Sequence, residues 1–364
     1  MTYFVTGATG FIGRHLVERL LEREGQIHVL VREGSTDKLD ELIEQWDHPG
    51  RDGGRPAAAE RIVKVIGDLE QPKLGVSDEQ IAELRGKVDH FFHLAAIYDM
   101  TADEENNNKL NVEGTRNAVA LANEIEPGIF HHVSSIAAAG FYKGLFREDM
   151  FDEGQPLKHP YHRTKFESEK IAREETKVPW RVYRPSIVVG NSKTGEMDKI
   201  DGPYYFFKAI QKLRHYLPEW FPLIGPELGY TNIVPVDYVA AALDHIAHQP
   251  DLDGQAFHLT NPKSQRSGDV MNTFARAAHA PHMAMRIDKR LIDALPTGAL
   301  GMAMKLPQLR NVRKAVLADF GIPDEVIDYV GLTAQFDTRD TERALDGSGV
   351  ELPELDTYAE KLWD

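Results

Sequence analysis

The sequence predicts an α/β protein: a doubly wound parallel sheet with a smaller α-rich lobe. Three observations carry that expectation. Short β-rich runs alternate with helical stretches through the first half of the chain, as they do when helices cover both faces of a parallel sheet. A glycine-rich segment, G-A-T-G-F-I-G from Gly7 to Gly13, follows the first of these runs directly. After Pro185 the alternation becomes irregular, and a dense aromatic set begins with Tyr204, Tyr205, Phe206, Phe207, Tyr216, Trp220 and Phe221.

Taken in order, strands are expected at Tyr3 to Thr6, Gln26 to Val31, Ile62 to Gly67, His90 to Ala95, Ile129 to Ser134 and Arg181 to Tyr183. Between the first two, Ile12, Leu16, Val17, Leu20 and Leu21 recur at helical spacing and make one apolar face. The stretch from Trp46 to Glu60 is rich in Gly, Pro and charge and reads as a surface loop. Past the aromatic set a strand is expected at Ile233 to Val236, a helix from about Asp237 to His248, a strand at Ala256 to Leu259, and a largely helical tail.

Composition narrows the function. The 364 residues carry a formal net charge of −15, which argues against a nucleic-acid coat or a basic membrane-surface protein. With 42% hydrophobic and 27% charged residues the chain has an ordinary globular composition, which excludes disorder as its main state. It has no cysteine, so disulfides, cysteine nucleophiles and Cys-type metal centres are excluded together. The uncharged opening, Met1 to Gly13, is too short to span a bilayer and lacks a basic leader, so a cytoplasmic protein with no transmembrane segment is expected.

Gly7, Gly10 and Gly13 stand where a strand turns into an amphipathic helix. There glycine permits a tight turn and lets a pyrophosphate approach the backbone N–H groups of a helix N-terminus. Cofactor contacts are therefore expected from Gly7, Thr9, Gly10, Phe11, Ile12 and Gly13. Arg32 ends the second strand where an acid would bind a ribose hydroxyl; a guanidinium there favours a 2′-phosphate, hence NADPH. Asp68, in G-D-L with Leu69, is placed either to reach the adenine end or to cap a helix. Tyr161 and Lys165 in Y-H-R-T-K share one helical face, and an ammonium beside a phenol favours phenolate. Ser134 and Ser135 close the fifth strand, at the edge where an open parallel sheet faces its ligand. His131, His132, His159 and His162 lack metal-ligand spacing, so no metal is expected.

This order of a glycine-rich turn, a strand-end serine and Tyr-x-x-x-Lys resembles the extended short-chain dehydrogenase/reductase family, with its Rossmann-type sheet, over nearly the whole chain. The resemblance implies that Ser135, Tyr161, Lys165 and Asn111 (in N-V-E-G-T) are catalytic, with Gly140 five positions after Ser135 supporting its choice over Ser134. It implies that Ala95 and Ala96 in H-L-A-A line the cofactor, and that Pro185 and Ile187 flank the nicotinamide beside Ser186. No Asp-Glu pair follows the serine, as a sugar-nucleotide dehydratase would have, and the epimerase Val-Tyr-Gly is missing. I-A-A-A-G suits an alkyl chain better.

Within the family, F-F-H-L-A-A, V-S-S-I-A-A-A-G and E-M-D-K-I-D-G-P-Y-Y-F-F are similar to the male-sterility-type fatty acyl-CoA reductases, in particular to the N-terminal domain of two-domain bacterial enzymes. That implies reduction of a long-chain aldehyde to a fatty alcohol with NADPH, acyl-CoA being the other candidate substrate and a C-terminal short-chain reductase domain a candidate partner in the same polypeptide. Ser135, Ile136, Ser186, Tyr204 and Phe207 are the expected substrate contacts. Residues 1–190, with 231–260 returning to them, would hold the cofactor; 191–230 and 261–364 would form the substrate lobe, with the active site between. The basic run Lys208, Lys212, Arg214 and His215 is either a solvated helix face or a contact for coenzyme A phosphates. The competing readings are a nucleotide-sugar epimerase with bound NAD, a hydroxysteroid- or flavonol-type reductase, and a dinucleotide sensor without activity.

Overall fold

The computed structural model describes residues 1–47, 56–95, 108–197, 204–288 and 332–364. The chain forms two compact units. The first comprises Met1–Val188, Val236–Thr260 and Phe336–Glu351; the second comprises Val189–Pro235, Asn261–Gln335 and Leu352–Asp364.

In the first unit, β1 (Thr2–Thr6), β2 (Gln26–Val31), β3 (Ile62–Ile66), β4 (His90–His93), β5 (Ile129–Val133), β6 (Trp180–Pro185) and β7 (Ala256–Leu259) make one seven-stranded sheet in the order β7-β6-β5-β4-β1-β2-β3. Every pairing is parallel. Helices α1 (Phe11–Leu20), α2 (Thr36–Trp46), α3 (Asp78–Leu84), α4 (Gly114–Ile125), α5 (Pro160–Glu174), α6 (Val236–Ala247) and α7 (Arg339–Leu345) accompany it. The strand order reverses at β1, which has β2 on one side and β4 on the other. At such a point the loops on the two sides diverge and leave a crevice for ligand.

The strands form because apolar and β-branched runs are buried on both faces. Phe4, Phe91 and Phe130 pack across β1, β4 and β5 in tilted and edge-on pairs, with ring centroids 4.7 and 5.2 Å apart, and Ile81, Leu84, Val119 and Ala122 of α3 and α4 cover them. Side chains one residue away point to the other face. There Tyr3, His90, His131 and Tyr183 form a buried polar ladder: Tyr3 Oη lies 3.0 Å from His248 Nε2, His90 Nδ1 3.0 Å from His131 Nε2, and His131 Nδ1 3.0 Å from Tyr183 Oη. Burial drives His131 well below the usual histidine range and His90 down to about 4.

Buried cations tie helix ends to the sheet. Arg181, 1% exposed, donates from Nη1 to the carbonyls of Ile246 and Ala247 at 2.7 and 3.2 Å, which satisfies acceptors at the C-terminus of α6. Glu148 does the converse for α7. Its carboxylate accepts from the N–H groups of Asp340 (2.6 Å) and Thr341 (3.1 Å), the Thr341 hydroxyl and the His258 N–H (2.8 Å). This clamp draws Phe336–Glu351 into the first unit, whereas the sequence reading assigned all of 261–364 to the smaller lobe.

The second unit contains helices Tyr205–Tyr216, Ser267–Ala277 and Ala359–Trp363, and a parallel strand pair of Leu223–Glu227 with Met283–Asp288. Phe207 packs at 5.0 Å from Tyr204, 4.9 Å from Phe274 and 4.9 Å from Trp363. The tail after 261 is less helical than expected in its described part, since Met283–Asp288 and Ala334–Phe336 are strands. Met, Ala and Arg favour helix locally, and pairing with Leu223–Glu227 overrides that preference. Among the described residues no helix is long and apolar enough to cross a membrane.

Candidate active site

The site is built first from the turn after β1. Gly7 has φ +75, and a Cβ there would meet the backbone of Ala95 at 2.7 Å. A Cβ on Gly13 would fall 2.0 Å from the Gly7 carbonyl oxygen. The Gly10 N–H closes the turn on the Gly7 carbonyl at 3.0 Å, and Gly10 caps α1 without a side-chain hydrogen bond. The first turn of α1 holds no acid, so no carboxylate of its own competes for the N–H groups there. A cradle that Cβ atoms would fill, facing an uncapped helix start at the switch point of the sheet, fits a dinucleotide pyrophosphate. Thr9, Phe11 and Ile12 lie on this turn and the first turn of the helix.

Changing Gly13 to Ala is therefore expected to weaken dinucleotide binding at least about 100-fold in a fluorescence titration, because the added carbon must displace backbone. Gly34→Ala, where a Cβ meets nothing within 4 Å, is the control expected to bind as the parent does.

A buried hydrogen-bond chain, absent from the sequence reading, links this turn to Asn111. The Thr115 hydroxyl donates to the Asn111 carbonyl at 2.7 Å, so it accepts from His93 Nε2 at 3.2 Å. His93 then carries its proton on Nε2, and Nδ1 accepts from the Thr6 hydroxyl at 2.8 Å. Burial holds His93 well below the usual range, consistent with a neutral ring. Asn111 itself is 1% exposed and sits in a π-turn, Asn108–Glu113, which widens the chain just before α4.

Helix α5 packs against this π-turn and against the short turn Ile136–Ala139. Pro160 starts the helix, and the ring of His159 accepts from the Tyr161 N–H at 3.1 Å. Tyr161 and Lys165, 6% and 5% exposed, follow four apart on its inner face. Burial pulls the Lys165 ammonium down to about 8, while Glu169 acts to raise it. Ser135 is extended and caps the Ile136–Ala139 turn; its Oγ accepts from the Ala137 N–H at 3.2 Å and keeps its own proton to donate. Asn111, Ser135, Tyr161 and Lys165 are thus carried by three elements packed on one another.

Ser134 is committed elsewhere. Its hydroxyl donates to Glu169 Oε2 at 2.8 Å, so of the two serines Ser135 is the one open to a ligand. Glu169, fully buried, also accepts from Arg184 Nη2 at 2.7 Å, Arg184 Nε at 3.0 Å and Arg173 Nε at 2.9 Å. Burial alone would raise its carboxyl, but the two guanidiniums outweigh burial and hold it at about 2. The spacing Tyr161, Lys165, Glu169 along one helical face was the available signal for this residue.

The remaining expected residues divide. Asp68 accepts from the Glu70 N–H at 2.9 Å within an Asx turn and caps no helix, since the turn Pro72–Gly75 that follows begins at Gln71; Leu69 lies with its Cβ 3.4 Å from a Cβ placed on Gly114. Arg32 is exposed at the end of β2, as is Glu33. Pro185 ends β6; the Ser186 hydroxyl beside it is buried with no hydrogen-bond partner among the described residues, and Ile187 is half-buried. Ile136 is buried next to Ser135. Tyr204 and Phe207 belong to the aromatic cluster of the second unit, where the Tyr204 hydroxyl accepts from the Gly190 N–H at 2.7 Å. Ala96 lies outside the described residues. His131 and His132 are strand residues of the core; the His162 ring lies tilted beside that of Tyr161, and the His159 ring meets His162 edge-on.

Fold and site together define an oxidoreductase of the extended short-chain dehydrogenase/reductase class. A model of the male sterility protein family matches residues 5–243, and the chain belongs to that NAD(P)-binding family. It is 29% identical to a nonribosomal peptide synthetase of Cladobotryum sp over 99% of this chain, and 27% identical over 73% of it to the aldehyde reductase lnbA of Aspergillus flavus. The chain spans only 35% and 27% of the lengths of those relatives. Among solved structures, the terminal R domain of the myxalamid PKS-NRPS biosynthetic pathway matches with a TM-score of 0.75 and 26% identity, covering 99% of this chain and 89% of that domain.

Proposed function

We propose that the protein is an NADPH-dependent reductase that takes a long-chain aldehyde to the alcohol. The observation that carries the reading is the convergence of Ser135, Tyr161 and Lys165 on packed elements beside a glycine cradle fit for a dinucleotide. A bound nicotinamide dinucleotide supplies hydride to the carbonyl carbon. Tyr161 donates its hydroxyl proton to the carbonyl oxygen, so that the C=O bond becomes C–O–H. The Lys165 ammonium stabilises the resulting phenolate, and Ser135 orients the oxygen with the proton its Oγ retains. Asn111, held by the Thr6–His93–Thr115 chain, supports the path that returns a proton to Tyr161. The exposed Arg32 is the group for a 2′-phosphate.

The resemblance over nearly the full chain to a peptide synthetase, and to a terminal R domain, favours a second substrate class, an acyl thioester. The same residues serve it without an enzyme cysteine. Protonation by Tyr161 during hydride addition gives a hemithioacetal, whose collapse expels the thiol and leaves the aldehyde.

Decanal and decanoyl-CoA, each with NADPH and with NADH, form the test. Turnover of decanal with NADPH supports the reading; turnover of both substrates extends it to thioesters. No turnover of either, with NAD carried through purification, overturns it in favour of the epimerase. Arg32→Ala is expected to raise KM for NADPH by about 10-fold or more while leaving that for NADH within about 2-fold.

A further inference from the structure

We propose that Glu169 is a positioning residue of the reduction, which holds the Ser134–Ser135 strand end in register with Tyr161 and Lys165 and sets a buried anion one helical turn from the Lys165 ammonium. This rests on the proposed reduction. Glu169 is fully buried one helical turn beyond Lys165, and its two oxygens reach three elements. On β5 side it takes the Ser134 hydroxyl at 2.8 Å, so the residue next to Ser135 is tied to the helix that carries Tyr161. On β6 it takes both faces of the Arg184 fork, at 2.7 and 3.0 Å, and that arginine immediately precedes Pro185 and Ser186. On its own helix it takes Arg173 Nε at 2.9 Å.

Arg184 is itself over-determined. Its Nη2 donates to the Met150 carbonyl at 2.9 Å and its Nη1 to His258 Nε2 at 3.1 Å, while His258 Nδ1 donates to the Asp337 carbonyl at 2.7 Å. The cluster is therefore a junction between the strand ends on one side of the site and the helix bearing the acid, with no slack in either direction. A shift of an ångström in Ser135 relative to Tyr161 would cost orders of magnitude in rate, which is the reason to fix it from beneath.

The electrostatic role follows from what surrounds Lys165. His93 on β4, His132 on β5, Arg184 on β6 and His258 on β7 face this cluster from the sheet, and Arg173 from the helix. All are neutral or cationic: burial lowers each of the three histidines, His132 and His258 to about 3. Among these groups Glu169 is the one anion, and it is the charge that favours the protonated form of Lys165. Without it, a lysine already desolvated would lose its proton nearer neutrality.

The test compares the parent enzyme with Glu169→Gln, Glu169→Asp and Ser134→Ala. Steady-state kinetics are recorded from pH 6 to 9, and NMR of 13Cε-labelled lysine follows Lys165, assigned through Lys165→Met. In Glu169→Gln the Lys165 titration and the alkaline limb of kcat are expected to move down by about one pH unit, so that the defect shrinks as pH falls. Glu169→Asp keeps the charge but shortens the reach; its Lys165 titration is expected to stay near the parent value while kcat falls. Ser134→Ala leaves the carboxylate and its arginines in place, and kcat is expected to drop about 10-fold with dinucleotide affinity and the alkaline limb unmoved. A loss in Glu169→Gln that is equal at every pH with an unmoved Lys165 titration overturns the electrostatic role, and a parent-like kcat in Ser134→Ala overturns the positioning. If Glu169→Gln does not fold, the Asp and Ala variants still decide, since an Asp variant whose Lys165 titration drops refutes charge as the cause. A parent enzyme that turns over no substrate refutes the proposed reduction alone, because the lysine titration is read without turnover.

Discussion

Tyr161→Phe is expected to lower kcat by about 10³-fold or more while the dissociation constant for NADPH stays within about 3-fold. The change removes one oxygen from a side chain that is 6% exposed and leaves its ring in place against His162, 6.4 Å away between centroids. The packing that seats the helix start, with Pro160 at its first position and the His159 ring on the Tyr161 N–H, is untouched. What disappears is the proton that, in the proposed reduction, reaches the carbonyl oxygen as hydride arrives at carbon. Pre-steady-state mixing with aldehyde separates chemistry from cofactor binding. Turnover within 10-fold of the parent, about 1.4 kcal/mol of barrier, would assign the proton to another group.

The second large effect is on stability, and its sign follows from the buried histidines. His90, His132 and His258 are held neutral, at about 4, 3 and 3, chiefly by burial, and His93 and His131 lie well below their ordinary value. Unfolded histidine takes up a proton near pH 6.5, so below that pH the unfolded chain binds more protons than the folded one. The stability these groups provide is complete above about pH 6.5 and is lost as pH falls toward the folded values, at about 1.4 kcal/mol per unit for each ring. At pH 5 the first three alone remove about 6 kcal/mol, comparable with the whole stability of a typical domain. Glu148, which burial pushes up to about 7, works in the opposite sense as a single group.

Denaturant midpoints are therefore expected to fall steeply between pH 6.5 and 5. A flat profile would mean that the rings titrate normally. His132→Leu should make the fall shallower, since neither His132 ring nitrogen has a hydrogen-bond partner to lose among the described residues.

Most of the sheet was legible because its strands are buried on both faces and read as short apolar runs between turn residues. The expected ends at Gly67, Ala95 and Ser134 ran one or two residues past the strands, which stop at Ile66, His93 and Val133. At these positions the chain leaves the sheet to form loops, and propensity does not mark that point. β6 proved longer than Arg181 to Tyr183, since Arg184 at its end pairs its charge in the core instead of closing the strand.

The Gly-rich turn and the Tyr161–Lys165 pair were visible because their spacing is local. Glu169 and His93 were not singled out, because their roles depend on partners in other strands and helices. The tail misled for the same reason: Glu148 reaches across 193 residues to Thr341, and no local pattern announces such a contact.

Among the described residues no side chain caps the N-terminus of α1, which has a practical consequence. Backbone donors left open there are available to an anion of the right shape, so a ligand that fills the turn after β1 stabilises the folded chain and not the unfolded one. At a free concentration 100 times its dissociation constant, such a ligand adds about 2.7 kcal/mol to unfolding. Cofactor preference thereby becomes readable as a melting temperature. A heating series with NADPH, NADH and adenosine nucleotides of graded phosphate content would rank the contacts made by each part of the molecule before a substrate has been found.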